Sequence, residues 1–203
     1  MIKECSDIWL LIITFAAQNI KQMVLEKKQG TNEKQKALIS ALKKSSDEEV
    51  MAMLIDLKEQ GELFYVRTLL EILSENRSEL LNKALVEYLS DIKLQDAVKI
   101  ISDFVSENYA DKDVNDIVVV SWQSRLDFSK HLNPYIQILI NANYKTAFEA
   151  FTVIENSIDS LSADELTQYG STIKKAVQKS NRDKQLLLLE MISVLEKAKR
   201  AIE

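Results

Sequence analysis

The chain nearly lacks the residues that break helices. Gly30, Gly61 and Gly170 are its only glycines, and Pro134 is its only proline. Sheet-rich and α/β folds connect their elements through turns with special backbone angles, which Gly and Pro normally supply. Their scarcity over 203 residues points to helices joined by short polar turns. Cysteine occurs once, at Cys5, so neither an internal disulfide nor a thiolate cluster for zinc can be built. Histidine also occurs once, at His131, which excludes a His pair for acid–base work within one chain. Beside Lys130, His131 reads as a turn or surface residue. The Gly-rich phosphate loop, the G-x-S-x-G elbow and the H-E-x-x-H helix are all missing, as is an Asp-rich calcium loop. No cofactor, metal or catalytic residue is expected.

Long apolar runs are scarce too. Ile8–Ala17 is the most apolar stretch, and it is shorter than the roughly 20 residues a bilayer requires. Trp9, Ile12, Ile13, Ala16, Ala17, Ile20 and Val24 share one helical face, which reads as a buried or partner-covered helix. A cleaved leader is the rival reading, opposed by Glu4 and Asp7 where a basic start is needed. No membrane span and a cytoplasmic location are expected.

Positive charge is missing from the middle of the chain. Residues 45–171 hold ten Lys or Arg against twenty-three Asp or Glu, whereas each flank carries an excess of four cations. Duplex DNA requires basic clusters on one face, so no nucleic-acid partner is expected. Lys174, Lys175, Lys179, Arg182 and Lys184 are the nearest thing to a basic cluster. They read as the solvated outer face of an end helix. An acidic middle suits a protein partner with a basic surface.

What the chain does have is helical periodicity. Val50, Met53, Leu54 and Leu57 recur at i, i+3, i+4 and i+7, between a Ser46–Glu49 capping box and a Gly61 stop. Val66, Leu69, Leu70 and Leu73 make the next stripe; Leu81, Ala84, Leu85, Tyr88 and Leu89 make another. Leu94, Ala97, Val98, Ile101, Phe104 and Val105 follow. Asp111–Asp113 predicts the start of a helix carrying Val114, Ile117, Val118, Ser121 and Trp122. Ile117–Val120 is β-branched, but it has no second strand to pair with and reads as helix. Asn133 is expected to cap a helix with Pro134 in its first turn. Tyr144, Ala147, Phe148, Phe151, Ile154 and Ile158 read as one packed face. Ser162 and Glu165 form a second capping box before Leu166, Tyr169 and Ile173, and Leu188, Met191, Ile192 and Leu195 mark the last helix.

Paired in order, these helices give units at 61–91, 92–126 and 127–158, with a weaker one at 31–60. Regular helical hairpins of this length stack because none can bury its apolar face alone. The expected architecture is therefore all-α, a short α-solenoid of antiparallel helical hairpins. Residues 1–45 would hold N-terminal helices, 46–158 the repeats and 159–203 a C-terminal helical cap. Trp122–Ser129, followed by Ala147–Glu155, is similar to stretches of small bacterial HEAT-like repeat proteins. That resemblance implies a curved, partner-binding HEAT-like superhelix with no assigned chemistry. The chain departs from the common HEAT pattern in lacking a proline early in most first helices.

Two readings attach to Trp122. It falls on the stripe of Val114 and Val118, which makes it a core residue between hairpins; with Arg125 it could instead anchor a partner. Asp127 could cap the turn, and Asp113 and Asp116 belong to the acidic region that would meet a basic partner. Tyr144, Phe148 and Phe151 read as core packing. The function expected is a non-catalytic protein–protein interaction module. The alternatives are a lyase- or glycosylase-like enzyme on a HEAT scaffold, or a structural subunit of an assembly.

Overall fold

A computed structural model describes residues 32–202. The chain divides into two units, Met1–Lys44 and Ser45–Glu203. Of the first, the described part is helix α1, residues 32–44. The apolar stretch Ile8–Ala17 lies outside the described residues.

The second unit contains α2 (Asp47–Gln60), α3 (Val66–Glu75), α4 (Glu79–Ser90), α5 (Ala97–Asn108), α6 (Asn115–Gln123), α7 (Asn133–Asn141), α8 (Tyr144–Ser157), α9 (Ala163–Val177) and α10 (Arg182–Ile202). Short 3-10 turns at Ser129–His131 and Ile158–Ser160 precede α7 and α9. Helix of both kinds covers 79% of the described residues, and none of them is in a strand. Ile117–Val120 is helical, as its lack of a strand partner predicts.

The helices sort into two layers. In one, α3, α5, α7 and α9 stack in order; in the other, α2, α4, α6, α8 and α10 do. Within each pair, α3 packs on α4, α5 on α6, α7 on α8 and α9 on α10. These are antiparallel hairpins, and α9–α10 continues the alternation. Polar links between hairpins carry the repeat in their spacing. Lys58–Asp91 and Ser90–Gln123 join residues 33 apart, Arg77–Ser45 and Gln95–Asp127 join residues 32 apart, and Thr146–Asn115 joins residues 31 apart. The core runs along the seam, with Leu69, Leu85, Ile101, Val118, Leu139 and Ile154 all solvent-free.

Several boundaries follow from caps written in the sequence. Ser46 accepts the Glu49 N–H while Glu49 accepts the Ser46 N–H. Ser162 and Glu165 repeat this box before α9. Gly61 takes the left-handed conformation that ends α2, at φ 62°.

Two helix starts differ from expectation. α6 begins at Asn115, after Asp111–Asp113, because the Asp111 and Lys112 N–H groups still bond the Asn108 carbonyl at the end of α5. Asp113 then accepts the Asn115 N–H at 2.9 Å. α7 begins at Asn133 with Leu132 in the cap position. The Ser129–His131 turn delivers Leu132 already in helical backbone, which puts Asn133 inside the first turn, where it cannot cap.

Lys184, expected on a solvated face, is 6% exposed, and its Nζ donates to the Ala142 carbonyl. Ala142 ends α7, where carbonyl groups lack helical partners and a cation is favoured. Burial pushes the Lys184 ammonium below its ordinary pKa.

Candidate partner-binding surface

The five residues singled out in the sequence fall at the two ends of α6. This nine-residue helix is roughly 13 Å long at about 1.5 Å per residue. Asp113 and Asp116 sit at its N-terminal end, and Trp122, Arg125 and Asp127 sit at or beyond its C-terminal end. The structure does not gather them into one small site.

At the C-terminal end, Trp122 is half-buried rather than enclosed in the core. Its indole N–H donates to Glu149 Oε2 at 2.8 Å. A buried indole has to satisfy that donor, and a half-buried carboxylate on α8 does so only with the ring near the surface. Trp122, Arg125, Leu126, Phe128 and Asn156 line a cleft of about 320 Å³. Arg125 is exposed and left-handed, at φ 58°, a region L residues seldom occupy. Asp127 accepts the Ser129 N–H at 2.9 Å, and that bond draws its pKa below the ordinary carboxylate range.

At the N-terminal end, Asp113, Asp116, Asn82 and Lys145 line a slot of about 180 Å³. Asp113 caps the backbone, and Asp116 accepts from the Asn115 side chain at 3.1 Å. Neither carboxylate is ion-paired among the described residues, and buried Asn82 leaves its Oδ1 without a partner. Lys145 brings one positive charge to the lining of the slot beside the two carboxylates.

A third feature was not legible in the sequence. Large apolar side chains stand exposed on α2, α4, α8 and α10, and none does on α3, α5, α7 or α9. Leu80 on α4 is 73% exposed and Ile55 on α2 is 74% exposed. Tyr144 and Phe148 on α8, expected in the core, are each about half exposed, while Phe151 is buried. Periodicity placed all three on a stripe wider than the one that packs. Position 148 directly follows buried Ala147 and lies about one turn before buried Phe151, yet it faces off the seam. Among the described residues, the large exposed apolar side chains on helices therefore all belong to one layer.

A fourth feature lies at the edge formed by the turns that follow the second-layer helices. Leu63, Tyr65, Tyr88, Ile92 and Leu94 wall a recess of about 440 Å³, with Lys58 and Asp91 also lining it. These two form an ion pair at 2.7 Å, and each favours the other's charged form. Tyr65 is buried, its hydroxyl donating to the Leu57 carbonyl at 3.1 Å and lying 2.9 Å from the Tyr88 hydroxyl. Burial, then the bond with Tyr65, pushes the Tyr88 phenol far above its ordinary pKa. It stays protonated at neutral pH and can bind through its oxygen but cannot serve as a base. The amphipathic stripe containing Tyr88 was legible in the sequence. The recess was not, because it depends on how two turns meet.

Among the described residues, no three His, Cys, Asp or Glu side chains come together as metal ligands, and no helix is long and apolar enough to cross a membrane. Comparison with protein-family models, with curated proteins and with solved structures finds no match to this chain.

Proposed function

We propose that this protein is a non-catalytic protein–protein interaction module, a HEAT-like superhelix that works in the cytoplasm and binds its partner along the second-helix layer. The observation that carries the reading is that, among the described helices, exposed large apolar side chains occur only on α2, α4, α8 and α10. Water-facing apolar side chains gathered on one layer lower the free energy only when something covers them. Aromatic anchors such as Tyr144 and Phe148 are the kind that dominate binding interfaces. The acidic excess of residues 45–171 supports a partner whose contact surface is basic.

Capture from the source cell tests this. The wild-type chain, a Leu80→Glu/Phe148→Glu variant and a Lys99→Glu variant on the other layer serve as baits. The expected result is a protein that co-purifies with wild type and Lys99→Glu and is lost with the double variant. Identical partners for all three would overturn the reading. A HEAT-scaffold lyase-like enzyme is the second reading, favoured by the mostly apolar recess at Tyr88, whose volume is within the range of ligand pockets. Turnover of a small molecule by the purified chain, abolished by filling that recess, would replace the first reading with the second.

A further inference from the structure

The Tyr65–Tyr88 recess has a hydrogen-bond polarity that the direction of its internal bonds fixes. A carbonyl oxygen only accepts, so in the 3.1 Å contact between Tyr65 and Leu57 the phenol must donate. That uses the single proton of Tyr65. In the 2.9 Å contact between the two phenols, Tyr88 must then be the donor. The Tyr88 proton is thereby committed inward, and its oxygen keeps free acceptor capacity beside the recess it lines. Burial holds the phenol protonated, so this oxygen is a neutral acceptor and not a phenolate.

Leu63, Ile92, Leu94 and the two tyrosine rings form the apolar part of the wall, and exposed Glu62 and Lys93 also line it. Its one close pair of charges, Lys58 and Asp91, is spent on itself. An occupant that is apolar in body, uncharged where it meets Tyr88 and equipped with one hydrogen-bond donor complements the apolar wall and this oxygen. The volume of about 440 Å³ admits a bicyclic aromatic ring with room to spare. The next gap along the same edge is bridged by side-chain hydrogen bonds. There Gln95 clasps the Asp127 backbone, and Ser90 bonds Gln123.

We propose that this recess receives an aromatic side chain with a donor, the indole of Trp or the phenol of Tyr, from the protein partner. It rests on the partner-binding reading and names one of that partner's anchors. Trp and Tyr combine a large apolar ring with a single polar handle, which is the complement of these walls and this oxygen.

The test uses the full chain and two probes, N-acetyl-tryptophan amide and its indole N-methylated analogue, followed by amide NMR shifts. The expected result is saturable shifts at Leu63, Ile92 and Leu94 with both probes. The unmethylated probe should bind tighter by about 2- to 10-fold, the worth of one hydrogen bond. Tyr88→Phe should erase that preference while both probes still bind. Equal affinity of the two probes for the wild-type chain would overturn the proposal, as would shifts that do not saturate or that map elsewhere. Because the methylated probe acts on the wild-type chain, this outcome does not depend on how well the variant folds. Failure here leaves the Leu80/Phe148 capture experiment untouched, so loss of this proposal and loss of the partner-binding reading are separable.

Discussion

Gln95 holds the backbone of Asp127 with both ends of its side-chain amide. Nε2 donates to the Asp127 carbonyl at 2.6 Å, and Oε1 accepts the Asp127 N–H at 3.2 Å. One side chain thus satisfies both backbone groups of a residue in the neighbouring hairpin's turn, as a strand partner would. Gln95→Ala removes both bonds at an exposed position, where water replaces part of what is lost. The expected cost is about 1 kcal/mol in denaturant unfolding. Gln95→Glu keeps the shape but loses the donor and should fall between the two. A Gln95→Ala variant as stable as wild type would show that the clasp contributes nothing.

The two described glycines should respond to alanine with opposite signs. A Cβ meets nothing within 4 Å at either Gly61 or Gly170, so space does not distinguish them. Backbone conformation does. Gly170 lies inside α9 with ordinary helical angles, and alanine there should stabilise by about 0.5–1 kcal/mol. Gly61 stands at φ 62°, and alanine there should destabilise by about 1 kcal/mol. Thermal or urea unfolding of both variants checks the pair, and equal signs would contradict the assigned backbone.

Alkaline pH should probe the buried phenols. Burial raises the pKa of Tyr88 and Tyr135 well above the ordinary phenol value of 10.0. The native chain keeps these protons after the unfolded chain has released them. Stability is therefore unaffected by them below about pH 10 and falls above it. Lys184 acts in the opposite sense, because its pKa is lowered from 10.5 and the native state binds that proton less tightly. Its contribution rises with pH up to about 10.5. Tyr135→Phe should flatten the alkaline loss, and Lys184→Met should remove the preceding rise. Tyrosinate absorbance should show these phenols ionising only as the chain unfolds.

The fold was legible because each hairpin announces itself twice, by an apolar stripe and by a cap. Ser46, Gly61 and Ser162 fixed ends that the structure reproduces. Asn133 and Asp111 did not, because the turn before α7 and the last turn of α5 depend on neighbouring backbone rather than on local side chains. The surface was far less legible. A stripe shows that Tyr144, Phe148 and Phe151 share a side of α8, but the angle at which α8 meets α6 and α7 decides which of them packs. Asp113 and Asp116 read in sequence as contacts for a basic partner, and the structure uses both for local hydrogen bonds. Trp122 belonged to the right helix face, yet its N–H drew it toward Glu149 at the edge.

That position makes Trp122 a sensitive reporter. In a Trp9→Phe background, acrylamide should quench it measurably but more slowly than free tryptophan. Glu149→Ala should speed quenching by releasing the indole. Complete protection would place Trp122 in the core after all, and quenching at the free rate would mean that the bond to Glu149 does not form.

The central claim is that the second-helix layer is the binding face, and lysine-directed cross-linking of the captured native complex tests it most directly. Lys83 on α4 and Lys145 on α8 are exposed on that layer, whereas Lys99 on α5 and Lys174 on α9 are exposed on the other. Cross-links to the partner should come from Lys83 and Lys145. Cross-links that come instead from Lys99 and Lys174 would contradict the account.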